Sequence, residues 1–156
     1  MEKIDYFSNK DKKMNKIKIF SIYYIIILFD YLTKQWVNKN IDLNQKKHIV
    51  SILNISHIHN YGIVFGLFSQ QKKYLFFLNF IICSIYIIYL NRKKTTNFYD
   101  LLIISGAIGN LIDRIHYGYI IDFIDLKIYK FHFPSFNVAD TCIFFGMLLV
   151  LLTKSK

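Results

Sequence analysis

Apolar positions along the chain gather into four blocks separated by polar stretches. The first runs from about Ile17 to Val37 and the second from Tyr74 to Leu90. The third runs from about Phe98 to Ile115 and the fourth from Val138 to Leu152. With a few flanking residues, each block approaches the roughly 20 residues that cross a bilayer as a helix. The front of the first block, Ile17 to Phe29, is nearly free of charge. A cleaved signal peptide would end an apolar run of about 7–15 residues at a small-residue cleavage site. This run instead continues into Phe29-Asp30-Tyr31-Leu32, so an uncleaved span is expected.

The stretches between the blocks are patterned differently. Ile49 to Ile58 reads as a strand by alternation and β-branching. Asn60-Tyr61-Gly62 is a turn signal, and Ile63 to Phe68 suits a second strand. Together residues 45–68 predict a small β element at the outer membrane face. Residues 116–137 hold Gly118, the run Tyr119 to Asp125, and Pro134. They predict an outer loop with a short strand or an interfacial helix. The expected fold is a membrane α-helical bundle of four transmembrane helices in a single domain, 1–156.

Composition agrees with that picture. Of 156 residues, 54% are apolar and 19% charged, against about 25% charged in soluble domains. That hydrophobicity excludes a disordered chain. Twenty Lys and Arg stand against ten Asp and Glu, a formal charge of +10. A basic balance suits nucleic acid or an anionic membrane. Here the cations lie mainly between apolar blocks rather than along one face, which argues against nucleic acid. With four spans both termini share a side; eleven Lys and Arg fall there and seven on the other. The positive-inside rule then puts the termini in the cytoplasm. Cys83 and Cys142 are too few for a disulfide framework or a four-Cys zinc site and read as packing residues. Nine of the ten acids are Asp, so carboxylate chemistry falls on Asp.

Polar residues inside apolar blocks carry the chemistry, because a bilayer admits them only where they pair or work. Asp30 and Lys34 lie four apart on the first helix, as a plain i,i+4 ion pair or as support for a site. On the third helix Ser105 and Gly109 form a small-xxx-small step for close helix approach. Asn110, Asp113 and Arg114 share a face of the same helix. Ser135 and Asn137 are candidate caps of the fourth helix, with Asp140 about one turn inside. Two carboxylates held together in a poorly solvated place cannot both ionise easily. One keeps a proton as acid and the other activates water as base, the requirement of an aspartic peptidase. Asp122 and Asp140 are candidates; Asp125, Asp113 and Asp30 compete on spacing alone.

Other chemistries have weaker support. A metallopeptidase needs a ligand set such as H-E-x-x-H. His57-Ile58-His59 has no Glu or Cys nearby, and the two rings are expected to point to opposite faces of a strand. A Ser-Lys peptidase needs a Ser near a desolvated Lys. Lys34 is the one Lys well inside an apolar block, and spacing brings no Ser to it. An ion-coupled transporter would want Asp near mid-span. Asp30, Asp113 and Asp140 instead lie toward the ends of their helices.

Five stretches resemble bacterial lipoprotein signal peptidase, the signal peptidase II family. They are Asp30-Tyr31-Leu32-Thr33-Lys34, Asn60-Tyr61-Gly62-Ile63-Val64-Phe65, Gly109-Asn110-Leu111-Ile112-Asp113-Arg114, Asp122-Phe123, and Phe136-Asn137-Val138-Ala139-Asp140. They stand in the family's order and span residues 30–140. The resemblance implies an aspartic endopeptidase of the bacterial cytoplasmic membrane. Such an enzyme cleaves diacylglyceryl prolipoproteins before the lipidated Cys and uses no metal or other cofactor. It implies four transmembrane helices with a small β cradle and a short interfacial helix, acting as a monomer on substrate in lipid. By motif position the catalytic dyad falls on Asp122 and Asp140. Asn60, Gly62, Asn110, Arg114 and Asn137 fall on positions that line or support the site, and Asp30, Lys34 and Asp113 on its ordering shell. The chain departs from the family at Val64, where Ala is usual, and at Gly106, which stands without a second Gly. Residues 1–16 form a basic extension with no assigned role.

Overall fold

The computed structural model describes residues 16–62, 72–93 and 96–154. Four helices occupy the four apolar blocks: α1 Lys16–Asn40, α2 Lys72–Arg92, α3 Phe98–His116 and α4 Val138–Lys154. Helix α1, with 25 residues, is about 38 Å long. Helix α3 is the centre of the bundle and packs against α1, α2 and α4. Its first turn is fixed by Asp100, whose Oδ2 accepts from the Asn97 backbone N–H at 2.9 Å.

The expected strand over Ile49 to Ile58 is two strands. β1 Lys46–Val50 turns at Ser51-Ile52 into β2 Leu53–Asn60. Residues 116–137 form a longer strand than expected, β3 Ile120–Ile128, followed by β4 Phe131–His132. Neighbours are antiparallel in the order β1-β2-β3-β4. The expected strand at 63–68, the Val64 departure and the extension before residue 16 lie outside the described residues. Among the described residues no short interfacial helix accompanies the sheet. Ile121 and Phe123 of β3 pack with Val37 of α1, which ties the sheet to the end of the bundle.

Close packing of α3 on α4 rests on glycine. A Cβ on Gly106 would lie 2.3 Å from the Ala139 carbonyl oxygen, and one on Gly146 would lie 2.9 Å from the Tyr99 carbonyl oxygen. The expected step of Ser105 and Gly109 works otherwise: Gly109 faces the Asp30 carboxylate of α1, and Gly106 makes the approach to α4. A backbone oxygen has no rotamer by which to move aside. Gly106→Val is therefore expected to destabilise the fold by about 1–3 kcal/mol, through overpacking. Thermal unfolding of the purified variant beside the parent checks this.

Polarity is distributed inside out. Phe20, Ile25, Phe80, Ile85, Phe144 and Leu151 are exposed on the helices, while Asp30, Lys34, Asp100 and Asp113 are buried between them. Among the described residues no helix is long and apolar enough to cross a membrane. The expectation of four spans meets this result for a physical reason. Helix α4 has 17 residues, and α1 and α3 carry charges that lower the hydropathy of the whole helix. Asp30, Lys34, Asp100 and Asp113 face inward, whereas Lys18 and Lys39 near the ends of α1 are exposed.

Candidate active site

Asp122 and Asp140 come from different elements, and one backbone contact brings the elements together. After β4 the chain passes Pro134 and lies back along β3. The Ile124 N–H donates to the Phe136 carbonyl at 2.8 Å, and the Phe136 N–H donates to the Ile124 carbonyl at 3.1 Å. Helix α4 therefore starts beside the strand that carries Asp122. Asn137 is the residue before its first turn. Its Oδ1 accepts from the Asp140 N–H at 2.8 Å, the bond of an N-cap. Its Nδ2 donates to Asp122 Oδ1 at 2.8 Å. One buried side chain thus caps the helix and holds both carboxylate-bearing segments. Of the two expected caps it is Asn137 that serves; the Ser135 hydroxyl meets the Ser56 hydroxyl at 3.1 Å.

The other amides complete the frame. Asn60, diagonal to Asp122 across β2 and β3, donates from Nδ2 to Asp122 Oδ2 at 2.9 Å. Its Oδ1 accepts from the Gly62 N–H at 2.8 Å. Asn110 of α3 donates from Nδ2 to Asp140 Oδ1 at 2.8 Å. Arg114, one turn further, donates from Nη2 to the Gly62 carbonyl at 3.0 Å and so ties α3 to the end of β2.

Beneath this frame lies a buried ion triad. Lys34 Nζ is 2.7 Å from Asp30 Oδ2 and 2.9 Å from Asp113 Oδ2. The ammonium also donates to Asn110 Oδ1 at 3.2 Å. The carboxylates also hold backbone: Asp30 accepts from the Ala139 N–H through its other oxygen, Oδ1, at 2.8 Å, and Asp113 accepts from the Ile121 N–H through the same Oδ2 at 3.2 Å. Ala139 precedes Asp140 and Ile121 precedes Asp122. The triad therefore fixes the backbone next to each candidate catalytic residue.

Pairing now separates the competing Asp residues. Asp30 and Asp113 hold Lys34, Asp125 holds Lys46 at 2.7 Å, and Asp100 holds Lys93 at 2.5 Å. Among the described residues, Asp122 and Asp140 have no such cation and are bonded by amides and a backbone N–H instead. Burial first, and the Asp140 charge second, push the Asp122 carboxyl up to about 7. Burial would also raise Asp125, but its bonds from Lys46 and Asn54 prevail and hold it below the usual carboxylate range. The site thus carries a carboxyl able to keep a proton near neutral pH beside a second carboxyl.

One expectation fails. His57 and His59 do not point apart: their Nε2 atoms are 3.1 Å from each other. Residues i and i+2 of a strand share a face, so spacing should have placed them together. His59 stacks on Tyr119 with ring centroids 3.7 Å apart. Among the described residues no three His, Cys, Asp or Glu gather as metal ligands. Sequence reasoning also missed Asp100, which is buried and accepts from the Tyr86 hydroxyl at 3.1 Å. Its position three residues after Asn97 at a helix start was the available signal.

A family model for signal peptidase II matches residues 22–155. A lipoprotein signal peptidase of Buchnera aphidicola subsp. Schizaphis graminum is 42% identical over 140 residues, covering 84% of this chain and 89% of the relative. One from Wigglesworthia glossinidia brevipalpis is 38% identical over 135 residues, covering 83% and 88%. A solved bacterial membrane enzyme superposes with a TM-score of 0.81 at 27% identity, covering 95% of this chain and 99% of that one. The chain belongs to the signal peptidase II family of aspartic peptidases.

Proposed function

We propose that this protein removes signal peptides from diacylglyceryl-modified prolipoproteins, cutting before the lipidated Cys, with Asp122 and Asp140 as its catalytic dyad. The observation that carries the reading is the pairing pattern. Asp122, buried, and Asp140, half-buried, are both bonded to Asn137 at the junction of β3 and α4, and among the described residues neither is ion-paired to a cation. The carboxylate of the pair takes a proton from water, whose oxygen attacks the scissile carbonyl carbon. The protonated partner donates a hydrogen bond to the developing oxyanion. Collapse breaks the peptide C–N bond, and the proton passes to the leaving amine. Asn60, Asn110 and Asn137 aim the dyad, Arg114 holds the end of β2 over it, and the Lys34 triad sets its backbone.

The bundle is read as seated in the bacterial inner membrane, termini in the cytoplasm and dyad at the outer face. Its apolar outward faces and buried charges support this, as does likeness to a solved membrane enzyme. It is read as acting as a monomer.

The dyad needs one proton. Asp122 loses its proton as pH rises through about 7, so kcat/KM for a lipidated precursor is expected to fall above that pH. A pH–rate profile in detergent checks this; a rate still climbing well above pH 7 would place the acid elsewhere. The dyad itself is tested by the Asn substitutions discussed below.

A further inference from the structure

The far end of the sheet carries a surface that the proposed peptidase chemistry leaves unused. Two turns lie side by side there: Ser51-Ile52 between β1 and β2, and Tyr129-Lys130 between β3 and β4. Leu53 pairs with Leu126, and the Lys127 N–H donates to the Ile52 carbonyl at 3.0 Å. The pairing holds the two turns together as one unit. Val50, Ile52, Ile128, Tyr129 and Phe131 are exposed on it, Tyr129 by 92% and Phe131 by 77%. Lys127 and Lys130 stand among them. Asp125, the nearest acid along β3, is held by Lys46. Among the described residues neither Lys127 nor Lys130 has an ion-pair partner.

Tyr129 adds a second observation. Its φ is +54°, in the left-handed region that bulky side chains avoid. Hairpin turns needing such a φ favour Asn, Asp or Gly, which adopt it at little cost. Here a large ring occupies the strained position and is almost fully exposed among the described residues.

We propose that the paired turns are a lipid-contact surface that rests in the headgroup region of an anionic outer leaflet. The inference rests on the membrane reading above and extends it from the helices to the sheet. Amphipathic Tyr, flanked by apolar side chains and Lys, is the composition of a membrane interface. The ammonium groups of Lys127 and Lys130 match the phosphates of anionic lipids, and a Lys stem can lie along apolar surface while its charge stays wet. The surface also has a mechanical consequence. Asp122 and Ile128 lie six residues apart on β3, about 20 Å along the strand. Anchoring one end of β3 in lipid sets the depth of the catalytic carboxyl at the other. The rival occupant is the prolipoprotein, which would meet the turns only when present.

Tryptophan reporters distinguish these outcomes. The full chain carries Trp36→Phe, which removes its single Trp, together with Tyr129→Trp or, independently, Phe131→Trp. It is reconstituted into phosphatidylethanolamine–phosphatidylglycerol vesicles without substrate. The expected result is a blue-shifted emission quenched by lipids brominated high on the acyl chain. Both effects should diminish when Lys127 and Lys130 become Gln or when phosphatidylcholine replaces phosphatidylglycerol. Emission at the water-exposed wavelength, quenched by acrylamide and not by brominated lipid, would overturn the proposal. So would quenching that appears only after prolipoprotein is added, or that ignores lipid charge. A Phe80→Trp reporter on the outward face of α2 keeps the two readings apart. Its quenching with silent sheet reporters sinks the lipid-contact surface alone, whereas its own silence sinks the membrane seat.

Discussion

Replacing Asp122 or Asp140 by Asn is expected to lower kcat/KM for a lipidated prolipoprotein by about ten-thousand-fold, the upper end of what one proton-transferring group contributes. Asn keeps the size of Asp but neither takes a proton from water nor gives one to the leaving amine. The fold should survive, because the charge removed is one the folded state already disfavours. Asp122 binds its proton more tightly in the folded chain than an ordinary carboxyl does. Its ionisation therefore costs stability as pH rises from the unfolded value of about 4 to about 7. Removing that charge offsets the loss of one amide-to-carboxylate hydrogen bond, worth about 1–2 kcal/mol. An unaltered melting profile with cleavage lost is the expected pair of readings. Near-parental turnover by either variant would remove that residue from the dyad.

Lys34→Met is expected to give the largest loss of stability, about 3–5 kcal/mol, because it leaves two buried carboxylates without their cation. Lys34 is fully buried and is the common partner of Asp30 and Asp113. Without it the carboxylates repel each other, and their bonds to the Ala139 and Ile121 backbone are disturbed. Activity should then fall with stability, since those residues adjoin Asp140 and Asp122. Thermal or denaturant unfolding of the variant in detergent measures the loss. A melting temperature equal to the parent's would contradict the triad.

The four helices were legible because apolar runs of such length leave few alternatives. The sheet was less so. The turn at Ser51-Ile52 has no Gly, Pro or Asn to mark it, and its place is set by pairing of β2 with β3 across the fold. The site was legible in its parts. Asp30 and Lys34 show their i,i+4 spacing in the sequence, but the third member, Asp113, arrives only when α3 packs on α1. The proposed choice of Asp122 and Asp140 over Asp125 could not follow from spacing. It depends on Lys46 folding onto Asp125 and on the Phe136 backbone lying against β3. His57 and His59 lie two apart on β2, and the two-residue period of a strand puts them on one face, where their rings meet.

The most direct test is a cleavage assay on purified protein with two versions of one prolipoprotein. One bears diacylglyceryl on the Cys and the other has the free thiol. The account predicts that only the lipidated form is cut, immediately before the modified Cys, and that Asp122→Asn and Asp140→Asn each abolish the cut. Equal cleavage of both forms, or full cleavage by either variant, would contradict it.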